Sequence, residues 1–187
     1  TGRMFALEHA GVCPDFLCLS KGLTGGLLPM SCVLTTDAVY AAFYDVRVER
    51  GFLHSHSFTG NPLAAATALA SLALFETEQT LARIAALSGH LHAALSRHQG
   101  HPLLANLRQT GLIGAFTVRQ PGTDFRLRFL QEALRRGVWL RPIGADVYVM
   151  PPYCITAGEL DHLLDQAVAC AEFASTGRQR TVEPALP

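Results

Sequence analysis

Lysine is all but missing from this sequence. Of the 15 basic residues in the 187-residue chain, one is a lysine, Lys21, and arginine fills the other positions. Acidic residues also number 15, so the formal net charge is zero and nothing calls for nucleic acid or an anionic membrane as a partner. Long apolar runs are missing as well. Each is too short, or too often interrupted by glycine and polar residues, to span a bilayer as a helix. Metal-ligand spacing is lacking: Cys13 and Cys18 have no second pair at zinc distance, and His54 and His56 have neither carboxylate nor cysteine beside them. Gly22, Gly25 and Gly26 form neither GxGxxG nor a P-loop spacing, which argues against a nucleotide-binding module. There is no internal repeat and no low-complexity segment.

What is present is apolar residue in quantity. The chain is 49% hydrophobic and 16% charged. That suffices for one sizeable core or for a piece of a larger one. A mean hydropathy of +0.23 leads us to expect apolar surface covered by further chain or by a partner subunit. Five cysteines, Cys13, Cys18, Cys32, Cys154 and Cys170, are odd in number and scattered among apolar neighbours. They read as reduced core thiols of a cytosolic protein, hence a cytoplasmic location. Thr1-Gly2-Arg3 runs straight into Met4-Phe5-Ala6-Leu7 without an initiator methionine, so the expectation is the middle of a longer polypeptide.

The chain is organised around Pro14 to Met30. Phe16-Leu17-Cys18-Leu19 is a short apolar run with polar ends, predicted to be a buried strand. Lys21 follows at its mouth, then Gly22 and Gly25-Gly26. Burying an ammonium is costly, and one escape is a Schiff base; desolvation makes the free amine a nucleophile and base. The glycines let backbone approach a flat ligand with no Cβ in the way.

Further along, Met30 to Thr35 predicts a second strand, and Thr35 or Thr36 caps a helix over 37–44. Asn61-Pro62 opens an alanine-rich helix to Glu76, and another runs from Gln79 to His98. A boundary is expected near residue 100. Beyond it the pattern predicts βαββα: strands at 112–118, 138–140 and 147–150, with helices at 124–136 and 156–175. Thr156 and Glu159 form a capping box at the head of the last helix. Trp139 reads as core, and a disordered tail is expected over 176–187. Strands alternating with helices give the fold class as α/β.

Three segments stand together in order: Ser20-Lys21-Gly22-Leu23-Thr24-Gly25-Gly26; His54 to Pro62, HSHSFTGNP; and Gly137 to Pro142, GVWLRP, with Val147 to Tyr153, VYVMPPY. In this combination, over nearly the whole chain, the sequence resembles the class III (fold type I) pyridoxal-phosphate aminotransferases. The closing GVWLRP and VYVMPPY segments are most similar to the members that act in biotin synthesis.

The resemblance implies a fold type I transferase, with residues 1–99 forming the end of the large cofactor-binding domain and 100–175 the small C-terminal α/β domain. It implies pyridoxal 5'-phosphate as cofactor and Lys21 as the Schiff-base lysine and catalytic proton carrier. Ser57 would bond the cofactor phosphate, in the neighbouring subunit's site of a homodimer. Arg141 would receive the substrate carboxylate. Tyr148 is as well read as core as it is as lining for the same site. The implied reaction moves an amino group from S-adenosylmethionine to 8-amino-7-oxononanoate, giving 7,8-diaminononanoate. Another ω-aminotransferase of the class, and a non-catalytic remnant, are the alternatives. The family's aspartate opposite the pyridine nitrogen is expected shortly before Thr1, and Asp15 is not that residue. The chain is therefore expected to be a C-terminal fragment, inactive alone.

Overall fold

The computed structural model describes residues 1–176. The chain packs as two compact units, Phe5–Thr80 and the stretch from Leu81 onward together with Thr1–Met4. The tail expected at 176–187 lies, from residue 177, outside the described residues.

The Phe5–Thr80 unit begins with a one-turn helix, α1 (Leu7–Ala10), followed by β1 (Phe16–Leu19) and β2 (Cys32–Thr35). The two strands pair antiparallel, with Phe16 opposite Thr35 and Leu19 opposite Cys32. Next come α2 (Asp37–Phe43) and α3 (Pro62–Thr77). Both start where a side chain satisfies a free backbone N–H: Thr36 Oγ1 accepts from Val39, and Asn61 Oδ1 accepts from Leu63 ahead of Pro62 at the first helical position. α3 packs against the turn between β1 and β2, and Thr24, Ala64 and Ala68 are this unit's buried residues.

β1 is not the buried strand that its composition predicts. Its residues alternate exposed and half-buried, and Phe16 is 57% exposed. The reason is topological: β1 has a single partner strand, and α3 lies on the turn.

The second unit contains α4 (Thr80–Ser96), β3 (Leu104–Thr110), β4 (Ile113–Val118), α5 (Phe125–Arg135), β5 (Asp146–Val149) and α6 (Ala157–Ser175). The strands form one antiparallel sheet, β3-β4-β5. Val147 and Val149 of β5 and Phe116 and Val118 of β4 point into a core completed by α4, α5 and α6. Asp161 on α6 ties down α4, accepting from His90 and from Arg97 at 2.9 Å each. The inner face of α4 (Ile84, Leu91, Ala94 and Leu95) belongs to this core, so the compact unit starts at Leu81. At the head of α6 the capping box forms in full.

The order is ββαβα instead of the expected βαββα. β3 was not anticipated, because a bulge between Ala105 and Arg108 places Leu104 and Leu107 three residues apart and breaks the period-two signal. Residues 138–140 join no ladder, although Val138 and Leu140 enter the core. Trp139 between them is 74% exposed, not core. The thiols differ from expectation too. Cys170 is buried and Cys32 half-buried, but Cys13, Cys18 and Cys154 are exposed, and all five are free. Among the described residues no helix is long and apolar enough to cross a membrane.

Candidate functional site

Lys21 opens a single 3-10 turn, Lys21–Thr24, directly after β1. The turn is pinned from several sides. Ser20 Oγ donates to the Met30 carbonyl at 3.2 Å, and Ser71 Oγ of α3 donates to the Gly22 carbonyl at 3.3 Å. Buried Thr24 donates to the carbonyl of Leu28. Lys21 itself stands at φ 53, a left-handed backbone that L side chains seldom adopt. Its side chain is exposed and makes no hydrogen bond or ion pair among the described residues. Gly25 and Gly26 follow at φ 61 and 85, which a glycine takes without strain.

Ser57 lies in the loop ahead of α3. That loop is folded on itself: Thr59 Oγ1 accepts from the His56 N–H, and His56 Nδ1 accepts from the Phe58 N–H. The Ser57 hydroxyl is exposed and has no partner among the described residues. No hydrogen bond joins it to the Lys21 turn. His54 meets Phe52 edge-on, and among the described residues no three metal-ligating side chains cluster.

Arg141 belongs to the second unit and lines an open groove of about 680 Å³. Tyr148, Met150, Glu159 and His162 share the lining. Tyr148 is half-buried on β5, facing the groove. Glu159 is already engaged, accepting from the backbone N–H and the hydroxyl of Thr156 at 2.8 Å each. Those bonds, the backbone one first, hold its carboxyl below the usual glutamate range. The Arg141 guanidinium has no carboxylate or carbonyl partner among the described residues, leaving its donor fork available to an anion. Trp139 also lines the groove, a position that its apolar character did not signal. The burial alternation from Val138 to Ile143 does signal it, because odd-numbered residues face out.

The lysine turn and the arginine groove thus lie in separate compact units. Each presents one cation that the described residues leave unpaired.

The sequence profile of the family described as aminotransferase class-III matches residues 1–170. The chain belongs to the class III aminotransferases. Two relatives of this class III chain carry the name adenosylmethionine-8-amino-7-oxononanoate aminotransferase. The one from Helicobacter pylori is 43% identical over 166 residues, 86% of this chain and 38% of that protein. The one from Nitratidesulfovibrio vulgaris is 37% identical over 201 residues, 100% of this chain and 37% of its own length. The chain therefore spans well under half the length of the relatives that it matches.

Solved structures agree on the fold. The enzyme of that same name from Methanocaldococcus jannaschii superposes with a TM-score of 0.80 at 30% identity, over 92% of this chain and 42% of that one. An (S)-enantioselective omega-transaminase from Thermomicrobium roseum gives 0.83 at 26% identity, over 93% and 40%. The class III chain is accordingly α/β, of the PLP-dependent transferase fold.

Proposed function

We propose that this chain carries the lysine and the carboxylate-binding arginine of an aminotransferase of biotin biosynthesis. The enzyme transfers an amino group from S-adenosylmethionine to 8-amino-7-oxononanoate and yields 7,8-diaminononanoate. The observation that carries this reading is the unpaired Arg141 in its groove, within a chain whose relatives bear that name. A guanidinium grips a carboxylate bidentately, and the acceptor ends in one.

The residues around Lys21 suit pyridoxal phosphate. A Cβ added at Gly22 or Gly26 meets nothing within 4 Å, so the backbone there faces open space that a flat ring can approach. When bound, the cofactor supplies the electron sink. Lys21 Nζ would hold it and, when free, would be the amine that takes up a proton from the substrate carbon and later gives it up. The Ser57 hydroxyl donates to the phosphate, across the interface of a homodimer. Arg141 fixes the far end of the acceptor so that its ketone meets the amine.

In this reading residues 1–99 belong to the large domain and 100–175 to the small one. The β3-β4-β5 sheet with α5 and α6, all within the second stretch, supports that division. Exposed Tyr44, Phe52, Leu53 and Phe58 support a subunit partner for the first. The location is cytoplasmic.

Borohydride reduction with pyridoxal phosphate, followed by peptide mapping, tests the lysine. Label confined to Lys21 is expected. A chain joined to the upstream segment of a relative that folds and still takes no label at Lys21 overturns the reading. The fit to the Thermomicrobium roseum transaminase favours a second reading, an ω-aminotransferase with an amino acid or diamine donor. Indifference of the joined enzyme to S-adenosylmethionine selects it.

A further inference from the structure

We infer that Trp139 is a specificity-determining residue that lies along the methylene chain of the ligand whose carboxylate Arg141 holds. The inference rests on the reading of Arg141 given above and adds a wall and a length preference to it.

From Val138 to Ile143 burial alternates residue by residue, as in an extended chain with one face on a core. Val138, Leu140 and Pro142 go in; Trp139 and Arg141 come out on the same face. Two residues apart in an extended backbone puts their Cα atoms about 7 Å from each other. Both line one groove, which Tyr148 and Met150 also line from the neighbouring β5 stretch. Val147 and Val149 of that stretch are buried, so there the even-numbered residues, Tyr148 and Met150, turn to the groove.

The indole is 74% exposed and touches no ring or cation among the described residues. A large apolar face beside an unpaired guanidinium matches a ligand with two parts: a carboxylate, and an unbranched apolar chain leading away from it. A short carboxylate satisfies Arg141 and leaves the indole bare. A second anionic group on the ligand would meet Glu159, whose carboxylate is committed to Thr156 but keeps its charge. The groove therefore selects long linear monocarboxylates. Each methylene laid on the indole and its neighbours should raise affinity about two- to fourfold.

Trp139 is the chain's only tryptophan, so its emission reports on the groove directly. The 187-residue chain is titrated with acetate, hexanoate and nonanoate at constant ionic strength. Affinity is followed in parallel by ligand-observed NMR, and native structure by circular dichroism. The expected result is a saturable blue shift with nonanoate, a smaller one with hexanoate and none with acetate. The shift should vanish in Arg141→Leu. In Trp139→Leu, acetate affinity should persist while the nonanoate advantage falls at least tenfold.

Equal affinity for acetate and nonanoate overturns the role of Trp139 and leaves Arg141 as a carboxylate site. An undiminished chain-length preference in Trp139→Leu does the same. A nonanoate response that survives Arg141→Leu shows apolar adsorption and overturns the inference. A natively folded chain that binds no carboxylate overturns the reading of Arg141, and this inference with it.

Discussion

Glu132 and Arg136, one turn apart on and just past α5, are joined by a 2.6 Å bond from Arg136 Nε to the Glu132 carboxylate. The carboxylate is 4% exposed, and it also receives Arg135 at 2.6 and 2.8 Å. A carboxylate this deep is tolerable because both its oxygens are bonded to cations.

The Arg135 bonds first, and Arg136 next, hold the Glu132 carboxyl down at about 2 against an ordinary 4.5. A folded-state value below the unfolded one means that the unfolded chain binds the proton more readily. The contribution of Glu132 to stability is therefore complete above pH 4.5 and is lost as pH falls toward 2. Urea midpoints measured from pH 7 to pH 3 should fall over the acid part of this range. Glu132→Gln should be less stable at pH 7 and show a shallower acid decline; an unchanged decline would mean that other carboxylates cause it.

Phe129 on α5, the helix that packs on α6, is fully buried in the core of the second unit. Phe129→Ala should cost about 3–5 kcal/mol, from lost transfer energy and the cavity left behind. Denaturant unfolding of the second unit reads this directly. A loss under 1 kcal/mol would mean the core collapses around the gap.

Thr156→Ala removes the hydroxyl arm of the capping box at α6, keeping only the backbone N–H bond to Glu159, and should cost about 1 kcal/mol. Thr156→Ser keeps the hydroxyl and should restore most of it. Failure of serine to rescue would assign the loss to the threonine methyl instead of the cap.

Cys170 is buried, and burial pushes its thiol up to about 11. Since the thiolate is the reactive form, Cys170 should escape iodoacetamide at pH 8 in the folded chain. Cys13, Cys18 and Cys154, all exposed, should be alkylated within the same incubation. Mass spectrometry of the peptides gives the order, and labelling of Cys170 at the same rate as Cys154 would show that α6 opens readily.

Arg141→Ala, in this chain joined to the upstream segment of a relative, should raise the KM for the oxononanoate about 10- to 100-fold, the scale of charge-assisted bonds to a carboxylate. Retention of pyridoxal phosphate should not change. Parallel loss of both would indicate misfolding.

The cap residues were the most legible part of the sequence. Asn61-Pro62 and the Thr156/Glu159 pair each act over a few residues, so no knowledge of the fold was needed to place α3 and α6. Lys21 and Arg141 are singled out by motifs that resemble those of the class III aminotransferases, and the roles proposed for them rest on that resemblance. Tertiary context hid the rest. The bulge at Ala105 scrambled the alternation of β3. The apolar run of β1 predicted burial, which depends on what covers a strand and not on the strand alone. Trp139 is apolar by type, yet the parity of an extended segment decides which way it points.

The left-handed backbone at Lys21 sets the chemistry of this position against its conformational preference. A non-glycine residue there costs about 1–2 kcal/mol that glycine would not. Lys21→Gly should therefore make the chain slightly harder to unfold while removing its only primary amine on a side chain. On the role proposed for Lys21, a selection for stability alone would drift away from lysine at this turn and one for amino transfer would hold it there, so the residue would mark a point where folding yields to reactivity.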